Sequence, residues 1–216
     1  VINCAFEDNR TTDTATPDNQ GGAIFVHNAY ETVISGSVFE NNLADNGGAF
    51  GGIATGLTIV NTRFADNAAV DDATAPGIVR GYGGAVHLDG VTNSYNPDSR
   101  KHVHICGSVF ERNTAIRGGG ATVVTVSDDQ GTLVTYERST FAANAVSGIG
   151  DRHGQGGAIY HIEDDHAGGR DERNLAITGC TFHGNAAGRQ GGGAWLYLLG
   201  KGEVVNSTFA ENTTTA

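Results

Sequence analysis

The chain has 216 residues, with 33 glycines, three prolines, three cysteines and no methionine. Its formal charge of −11 repels phosphate backbones, so we predict that it does not bind nucleic acid. No run of about 18 apolar residues occurs, which predicts that no segment of this sequence spans a membrane.

Two short motifs alternate along the chain. F-x-x-N occurs seven times, and a Gly-Gly-Ala lies between each pair of successive copies. The first motif is found at Phe6/Asn9, Phe39/Asn42, Phe64/Asn67, Phe110/Asn113, Phe141/Asn144, Phe182/Asn185 and Phe209/Asn212. The second motif ends at Ala23, Ala49, Ala85, Ala121, Ala158 and Ala194. Regular alternation of this kind indicates a solenoid, in which each repeat packs on its neighbours.

Each repeat begins with a predicted strand that leads into the phenylalanine. Five residues before the phenylalanine lie Val1, Ile34, Ile59, Ile105, Tyr136, Ile177 and Val204. Two residues before it lie Cys4, Ser37, Thr62, Ser108, Ser139, Cys180 and Ser207. We expect both sets, like the phenylalanines, to form inward-facing columns, one residue per turn. Cys4 and Cys180 are then small buried groups rather than half of a disulfide framework.

The asparagine of F-x-x-N comes next, at a predicted corner. A buried amide there can bond the backbone and the equivalent amide one turn away, as in stacked strands. We therefore predict a structural ladder of Asn9, Asn42, Asn67, Asn113, Asn144, Asn185 and Asn212. Sequence insertions follow this corner in some repeats, at about 10–20, 69–81 and 146–155.

Gly-Gly-Ala makes a second corner, where we expect glycine to adopt positive φ, and a second strand follows it. Alternation predicts an inward face of Ile24/Val26, Phe50, Val86/Leu88, Thr122/Val124, Ile159/His161 and Trp195/Tyr197. It predicts an outward face of Phe25/His27, His87/Asp89, Val123/Thr125, Tyr160/Ile162 and Leu196/Leu198. His161 fits an inward face poorly, which suggests that the alternation breaks there. Insertions then recur at about 90–103, 127–134 and 163–173.

These elements predict an all-β fold, a right-handed parallel β-helix of about seven rungs with loop insertions at two corners. Short segments rich in valine, isoleucine, threonine and phenylalanine, broken by glycine, favour strands over helices. Residues 1–216 are predicted to form a single repeat segment. The first and last repeats end at nearly the same phase without a recognisable cap, so we expect this segment to belong to a longer chain.

The alternation of Gly-Gly-Ala-[Ile/Val] with F-x-x-N resembles the repeats of chlamydial polymorphic membrane proteins and of related β-helical autotransporter passenger domains. Gly84-Ala85-Val86 and Gly157-Ala158-Ile159 fit this pattern closely, whereas Phe50, Thr122 and Trp195 depart from it. The resemblance implies an extracellular or cell-surface location and a stalk or adhesive role. It implies no catalytic residues.

Candidate ligand-binding residues lie on the predicted outward face after Gly-Gly-Ala. Phe25, His87, Asp89 and Tyr160 combine aromatic rings with titratable groups, and the insertions that follow these strands could wall a groove. Aromatic rings at such a site can stack on sugars. A glycosidase, however, needs two carboxylates about 5–10 Å apart, and this set offers only Asp89.

Acidic insertions suggest a second kind of site, for calcium. Calcium takes six to eight oxygen ligands. Two stacked acidic loops could supply several, from Asp128, Asp129, Glu163, Asp164 and Asp165. The alternative is that these loops are simply solvated. His102 and His104 alternate on a probable strand, but no completing pair was recognised, so zinc is less favoured.

The sequence therefore favours a non-enzymatic extracellular module that presents corner loops to a glycan or protein on a host or neighbouring cell. One alternative is a carbohydrate-active enzyme, a polysaccharide lyase or glycosidase, acting on the outward sheet face. A second is a fibre subunit that associates end to end with further copies. No cofactor other than calcium is expected.

Overall fold

The computed structural model describes residues 1–11, 19–70, 80–91, 102–126, 132–148, 153–163, 173–198 and 200–215. These residues form 26 short strands and no helix, and the strands belong to four parallel sheets. The predicted all-β class is therefore confirmed. A search of the same residues for a helix long and apolar enough to cross a membrane finds none.

Each sheet takes one strand from each turn of the chain, and we number the sheets in chain order. Sheet 1 contains β1 (Ala5–Glu7), β5 (Val38–Glu40), β9 (Arg63–Ala65), β13 (Val109–Glu111), β17 (Thr140–Ala142), β21 (Thr181–His183) and β25 (Thr208–Ala210). Sheet 2 contains β2 (Arg10–Thr11), β6 (Leu43–Ala44), β10 (Ala68–Ala69), β14 (Thr114–Ala115), β18 (Ala145–Val146), β22 (Ala186–Ala187) and β26 (Thr213–Thr214).

The other two sheets each have six strands. Sheet 3 contains β3 (Ile24–His27), β7 (Phe50–Ile53), β11 (Val86–Asp89), β15 (Thr122–Val126), β19 (Ile159–Glu163) and β23 (Ala194–Tyr197). Sheet 4 contains β4 (Glu31–Ser35), β8 (Gly56–Val60), β12 (His102–Cys106), β16 (Leu133–Glu137), β20 (Arg173–Thr178) and β24 (Lys201–Val205).

Neighbouring strands in every sheet are four apart in chain order and run parallel, so each turn of the chain adds one strand to all four sheets. Such a turn is a rung, and stacked rungs of this kind form a parallel β-helix. Sheets 1 and 2 count seven rungs among the described residues, which confirms the predicted solenoid of about seven rungs.

The interior is built from columns in which one residue per rung stacks on its equivalent. The phenylalanine rings of sheet 1 are nearly parallel, with centroids 4.7 Å apart for Phe39 and Phe64 and 4.8 Å apart for Phe64 and Phe110. A second column in sheet 4 runs through Ile34, Ile59, Ile105, Tyr136, Ile177 and Val204. The predicted apolar columns are thus present, because parallel in-register pairing superposes equivalent residues.

The column of small polar residues is a hydrogen-bonded chain. Ser108 Oγ donates to the Cys106 carbonyl at 3.0 Å and accepts from the Thr62 backbone N–H at 3.1 Å. Equivalent contacts are made by Ser37, Thr62, Ser139 and Ser207. The prediction that Cys4 is buried is wrong, because Cys4 lies in the outermost rung and is exposed. Cys180 occupies the same column and is buried, and its burial raises the pKa of the thiol. It therefore remains a neutral small group at physiological pH.

The seven asparagines form a continuous ladder at the corner after sheet 1. Asn113 Nδ2 donates to Asn144 Oδ1 at 2.9 Å, and the Asn113 backbone N–H donates to the same oxygen at 3.0 Å. The second amide hydrogen of Asn113 bonds the Phe64 carbonyl of the preceding rung. The same pattern recurs at every step from Asn9 to Asn212. Each buried amide is thus hydrogen-bonded to the rungs on both sides.

The two glycines of Gly-Gly-Ala have different roles. The first has positive φ in each rung, for example 60° at Gly47 and 67° at Gly83, as predicted for this corner. At the second, a Cβ atom would collide with the carbonyl oxygen of the equivalent glycine in the next rung, as Gly84 shows against Gly120. The first glycine therefore serves the turn, and the second allows the rungs to approach closely.

The predicted register of the last rung is wrong by one residue. Ile159 pairs with Ala194, and Tyr160 pairs with Trp195. Gly191-Gly192-Gly193 therefore takes the place of Gly-Gly-Ala, and Ala194 occupies the position predicted for Trp195. Trp195 and Tyr197 consequently face outward, whereas Leu196 and Leu198 pack against the core. The cause is a run of three glycines, which offers two possible corners of similar sequence.

Candidate functional site

The outward side of sheet 3 carries the predicted ligand-binding residues in two columns. One column contains Phe25, Gly51, His87, Val123, Tyr160 and Trp195. The other contains His27, Ile53, Asp89, Thr125, Ile162 and Tyr197. Their side chains point away from the core because the alternate positions of the same strands are filled by core residues.

The four predicted residues do not converge on one point. Phe25 lies in the first strand of sheet 3, and Gly51 separates its column position from His87. Val123 likewise separates His87 from Tyr160. Phe25 is 49 % exposed and Asp89 is exposed, whereas His87 and Tyr160 are each only 8 % exposed. The set is therefore spread over five rungs and only partly open to solvent.

His87 and Tyr160 are covered by residues that precede the double glycine. Gln20 Oε1 lies 3.2 Å from His87 Nδ1. The Tyr82 ring centroid is 6.4 Å from that of His87 and 5.7 Å from that of Tyr160. Tyr82 spans the intervening rung because Gly118, its neighbour in the next rung, has no side chain: a Cβ there would touch both tyrosine rings.

An aromatic strip of Tyr82, Tyr160, Trp195 and Tyr197 results on this face. Tyr160 and Trp195 are stacked, with centroids 4.7 Å apart and ring planes 17° apart. Tyr197 follows two residues later, with its centroid 6.2 Å from Trp195 and its plane 15° away, and it is 50 % exposed. These rings lie outside the core columns. Tyr197 is exposed and Tyr82 and Trp195 are partly exposed, whereas Tyr160 is buried against Tyr82 and Trp195.

Sequence reasoning missed three members of the strip. Trp195 and Tyr197 were assigned inward because the last corner was placed one residue too late. Tyr82 precedes Gly-Gly-Ala and therefore lies outside the strand whose alternation predicts the outward face. The signal was the run of three glycines, Gly191-Gly192-Gly193, which allows two registers for the last strand. In one of these registers Trp195 lies beside Tyr160.

His87 and Asp89 have no second catalytic group at the adjacent positions of their columns in sheet 3. The neighbours of His87 in its column are Gly51 and Val123, and those of Asp89 are Ile53 and Thr125. None of these four can act as an acid, a base or a cation. The predicted Asp89 therefore has no carboxylate or cationic partner at the adjacent positions of sheet 3.

His161 and Glu163 occupy the interior, contrary to the expectation that the alternation breaks at His161. Both are fully buried, and His161 Nε2 lies 3.4 Å from Glu163 Oε1. Glu163 Oε2 accepts a hydrogen bond from the Gly200 backbone N–H at 3.0 Å. The Glu163 carboxylate is thus buried and contacts His161 and Gly200, so it is poorly placed for an exposed calcium site. Asp128, Asp129, Asp164 and Asp165, predicted with it, lie outside the described residues.

Both parts of this geometry, the columns and the outward face, define the chain as a parallel β-helix protein. Comparison with models of known families, with curated proteins and with solved structures gave no match.

Proposed function

We propose that the chain is a non-catalytic binding module of a secreted or cell-surface protein, and that its aromatic strip binds a glycan. The observation that carries this proposal is the stacked Tyr160–Trp195 pair with Tyr197 beside it on the outer face of sheet 3. Aromatic rings offer large, rigid contact surfaces at low entropic cost, and the C–H faces of sugar rings pack on them.

The net negative charge of the chain favours some classes of glycan over others. The chain carries a formal charge of −11, which opposes the approach of uronate-rich or sulfated polymers. Neutral oligosaccharides are therefore the favoured partners. Support for the location comes from the resemblance of the repeats to surface passenger domains.

Binding can be followed by intrinsic tryptophan fluorescence, because Trp195 is the only tryptophan of the sequence. Intrinsic fluorescence then reports directly on the strip during titration with a panel of neutral oligosaccharides. We expect a saturable spectral change with at least one of them, and we expect Tyr197→Ser to weaken that binding about 10-fold or more. Tyr30→Ser is the control, because Tyr30 is an exposed tyrosine outside the strip.

A spectral change that is unaltered in Tyr197→Ser and Tyr160→Ser would contradict a glycan site at the strip, as would a broad glycan array without binding. The enzymatic alternative is separated by reducing-end release from acidic and neutral polysaccharides, with and without calcium. Release that disappears in the His87→Ala, Asp89→Ala double variant would replace the binding proposal by a catalytic one.

A further inference from the structure

The outer face of sheet 4 gathers metal-ligating side chains that the aromatic strip does not use. On β12, Val103 and Ile105 are buried in the core. Because strand residues alternate, His102, His104 and Cys106 lie on the opposite, outward side of the same strand. Two imidazoles and a thiol therefore follow one another along one face.

A carboxylate from the next rung completes the group. Glu137 on β16 is the register partner of Cys106. The ligand atoms of His104, Cys106 and Glu137 all lie within 4.8 Å of one another. One nitrogen, one sulfur and one oxygen donor thus converge from two adjacent strands, both of which are fixed by the parallel pairing.

Cysteine binds metals as the thiolate, and a cation lies directly beside Cys106. Arg138 Nη2 donates to Cys106 Sγ at 3.0 Å, and this hydrogen bond raises the pKa of Arg138. The guanidinium also lies 3.8 Å from a Glu137 carboxylate oxygen. Arg138 thus supplies the positive charge that a metal ion would otherwise provide between these two groups.

His104 is held in place by a neighbour, as metal-binding histidines usually are. Its Nδ1 lies 2.8 Å from Thr135 Oγ1, on the strand that carries Glu137. This contact orients the imidazole ring beside the two other donors. His102 lies beside it, with ring centroids 6.1 Å apart.

We propose that His104, Cys106 and Glu137 bind a divalent transition-metal ion of the zinc class, with the fourth position filled by water. Metal–ligand distances of about 2.0–2.3 Å require the three donors to draw closer than they stand. Rotation of the partly exposed His104 and Glu137 side chains toward the buried Cys106 permits this. Arg138, whose side chain is 73 % exposed, turns into solvent as the ion replaces its charge. Nitrogen and sulfur donors disfavour calcium and magnesium.

The metal site lies on sheet 4 and the aromatic strip on sheet 3. The test of metal binding is therefore independent of the test of glycan binding. Cobalt(II) is the probe, because a thiolate–cobalt charge-transfer band and visible d–d bands report sulfur ligation and tetrahedral geometry directly. The full chain is titrated in a Cys4→Ser background, since Cys4 is an exposed thiol. We expect the bands to saturate at equimolar cobalt and to disappear when zinc is added.

Each ligand has its own variant. Cys106→Ser is expected to abolish the charge-transfer band, and His104→Ala and Glu137→Gln to weaken cobalt binding more than about 10-fold. Arg138→Gln is expected to strengthen binding, because it removes the competing cation. This last result distinguishes a metal site from a thiolate whose only partner is Arg138.

Two controls leave the proposed ligands intact. His183→Ala removes an exposed histidine paired with Glu211 at 3.1 Å, and Cys180→Ser replaces a buried thiol by the residue type usual in its column. Neither should change the spectrum. Absence of the band at equimolar cobalt, its persistence in Cys106→Ser, or weaker binding in Arg138→Gln would overturn the proposal.

Discussion

Every asparagine of the ladder bonds to two neighbouring rungs, so the effect of removing one depends on its position. Asn113 is fully buried, and Asn113→Ala removes the acceptor of one Asn67 Nδ2 hydrogen, the acceptor of the Asn67 backbone N–H and a donor to the Phe64 carbonyl. At about 1–3 kcal/mol for each unsatisfied buried group, we expect a loss of at least about 3 kcal/mol in the free energy of unfolding.

Asn9→Ala provides the comparison within the same ladder. Asn9 is only half-buried and donates to Asn42 without accepting from a preceding asparagine. We expect this substitution to cost clearly less, about 1 kcal/mol. Urea denaturation of both variants measures the difference, and equal losses would contradict the ladder as the source of stability.

Ala143 holds a conformation that its side chain disfavours. It precedes Asn144 and has a φ of 53°, in the left-handed region where a Cβ atom costs about 1–2 kcal/mol. Gly184 occupies the equivalent position one rung later with a φ of 63°. We therefore expect Ala143→Gly to raise the free energy of unfolding by about 1 kcal/mol. Ala142→Gly, in the adjoining strand β17, should lower it, and stabilisation by both would refute the argument.

At the scale of the element, substitutions in the run of three glycines before β23 test the register of the last rung. A Cβ on Gly192 would lie within 3 Å of three Thr213 backbone atoms, whereas one on Gly193 would meet mainly the partly exposed Phe209 ring. We expect Gly193→Ala to be tolerated within about 1 kcal/mol and Gly192→Ala to destabilise by several times more. Thermal melting compares them, and the reverse order would restore the register predicted from the sequence.

An ion network links three rungs on the outer face of sheet 1. Arg63 donates to Glu111 at 2.7 Å and to Glu40 at 3.1 Å, and Arg112 donates to the second oxygen of Glu111 at 2.9 Å. Partial burial raises the pKa of Glu111, but the hydrogen bonds from Arg63 and Arg112 outweigh it and hold that pKa below its usual range.

This lowered pKa has a defined consequence for acid stability. A carboxyl with a pKa lower in the folded than in the unfolded protein stabilises above its usual pKa of about 4.3, and the contribution is lost as the pH falls further. We expect Glu111→Gln to lower the melting temperature at pH 7 and to have a smaller effect near pH 3. Glu7→Gln, in the same column, is the reference for removing a charge. If the loss in melting temperature of Glu111→Gln were the same at pH 7 and pH 3, the lowered pKa of Glu111 would be contradicted.

Features that recur at the same position in every repeat were predicted from the sequence. Features that depend on how residues of two neighbouring rungs are paired were not. The columns through Phe110, Ile105 and Ser108 followed from a constant phase, because parallel pairing superposes equivalent residues. The last register failed because three successive glycines remove the side chains that distinguish one phase from another. The His104–Cys106–Glu137 group was not predicted because its third member comes from the following strand, and the three cysteines lie too far apart in the sequence to form a metal-binding motif.

At the scale of the whole molecule, stability is distributed along the axis. Rungs contact only their neighbours, so the middle rungs are supported on both sides and the outer ones on one. Ile105 and Tyr136 are fully buried, whereas Val204, in the last strand of the same column, is exposed. Strands β4 and β24 each pair with only one other strand of sheet 4. We expect amide hydrogen exchange to be slowest in β12 and β16 and faster in β4 and β24. Uniform protection across sheet 4 would instead indicate a single cooperative unit.

The asparagine ladder also gives the solenoid a direction. From Asn9 to Asn185, each Nδ2 donates one hydrogen bond to the Oδ1 of the asparagine in the following rung, and the last acceptor in the series is Asn212 Oδ1. The amide dipoles therefore add as vectors, with an acceptor at the Asn9 end and a donor at the Asn212 end, and such chains polarise cooperatively. Any strand that extends this ladder must join head to tail, since a two-fold symmetric junction would set acceptor against acceptor or donor against donor.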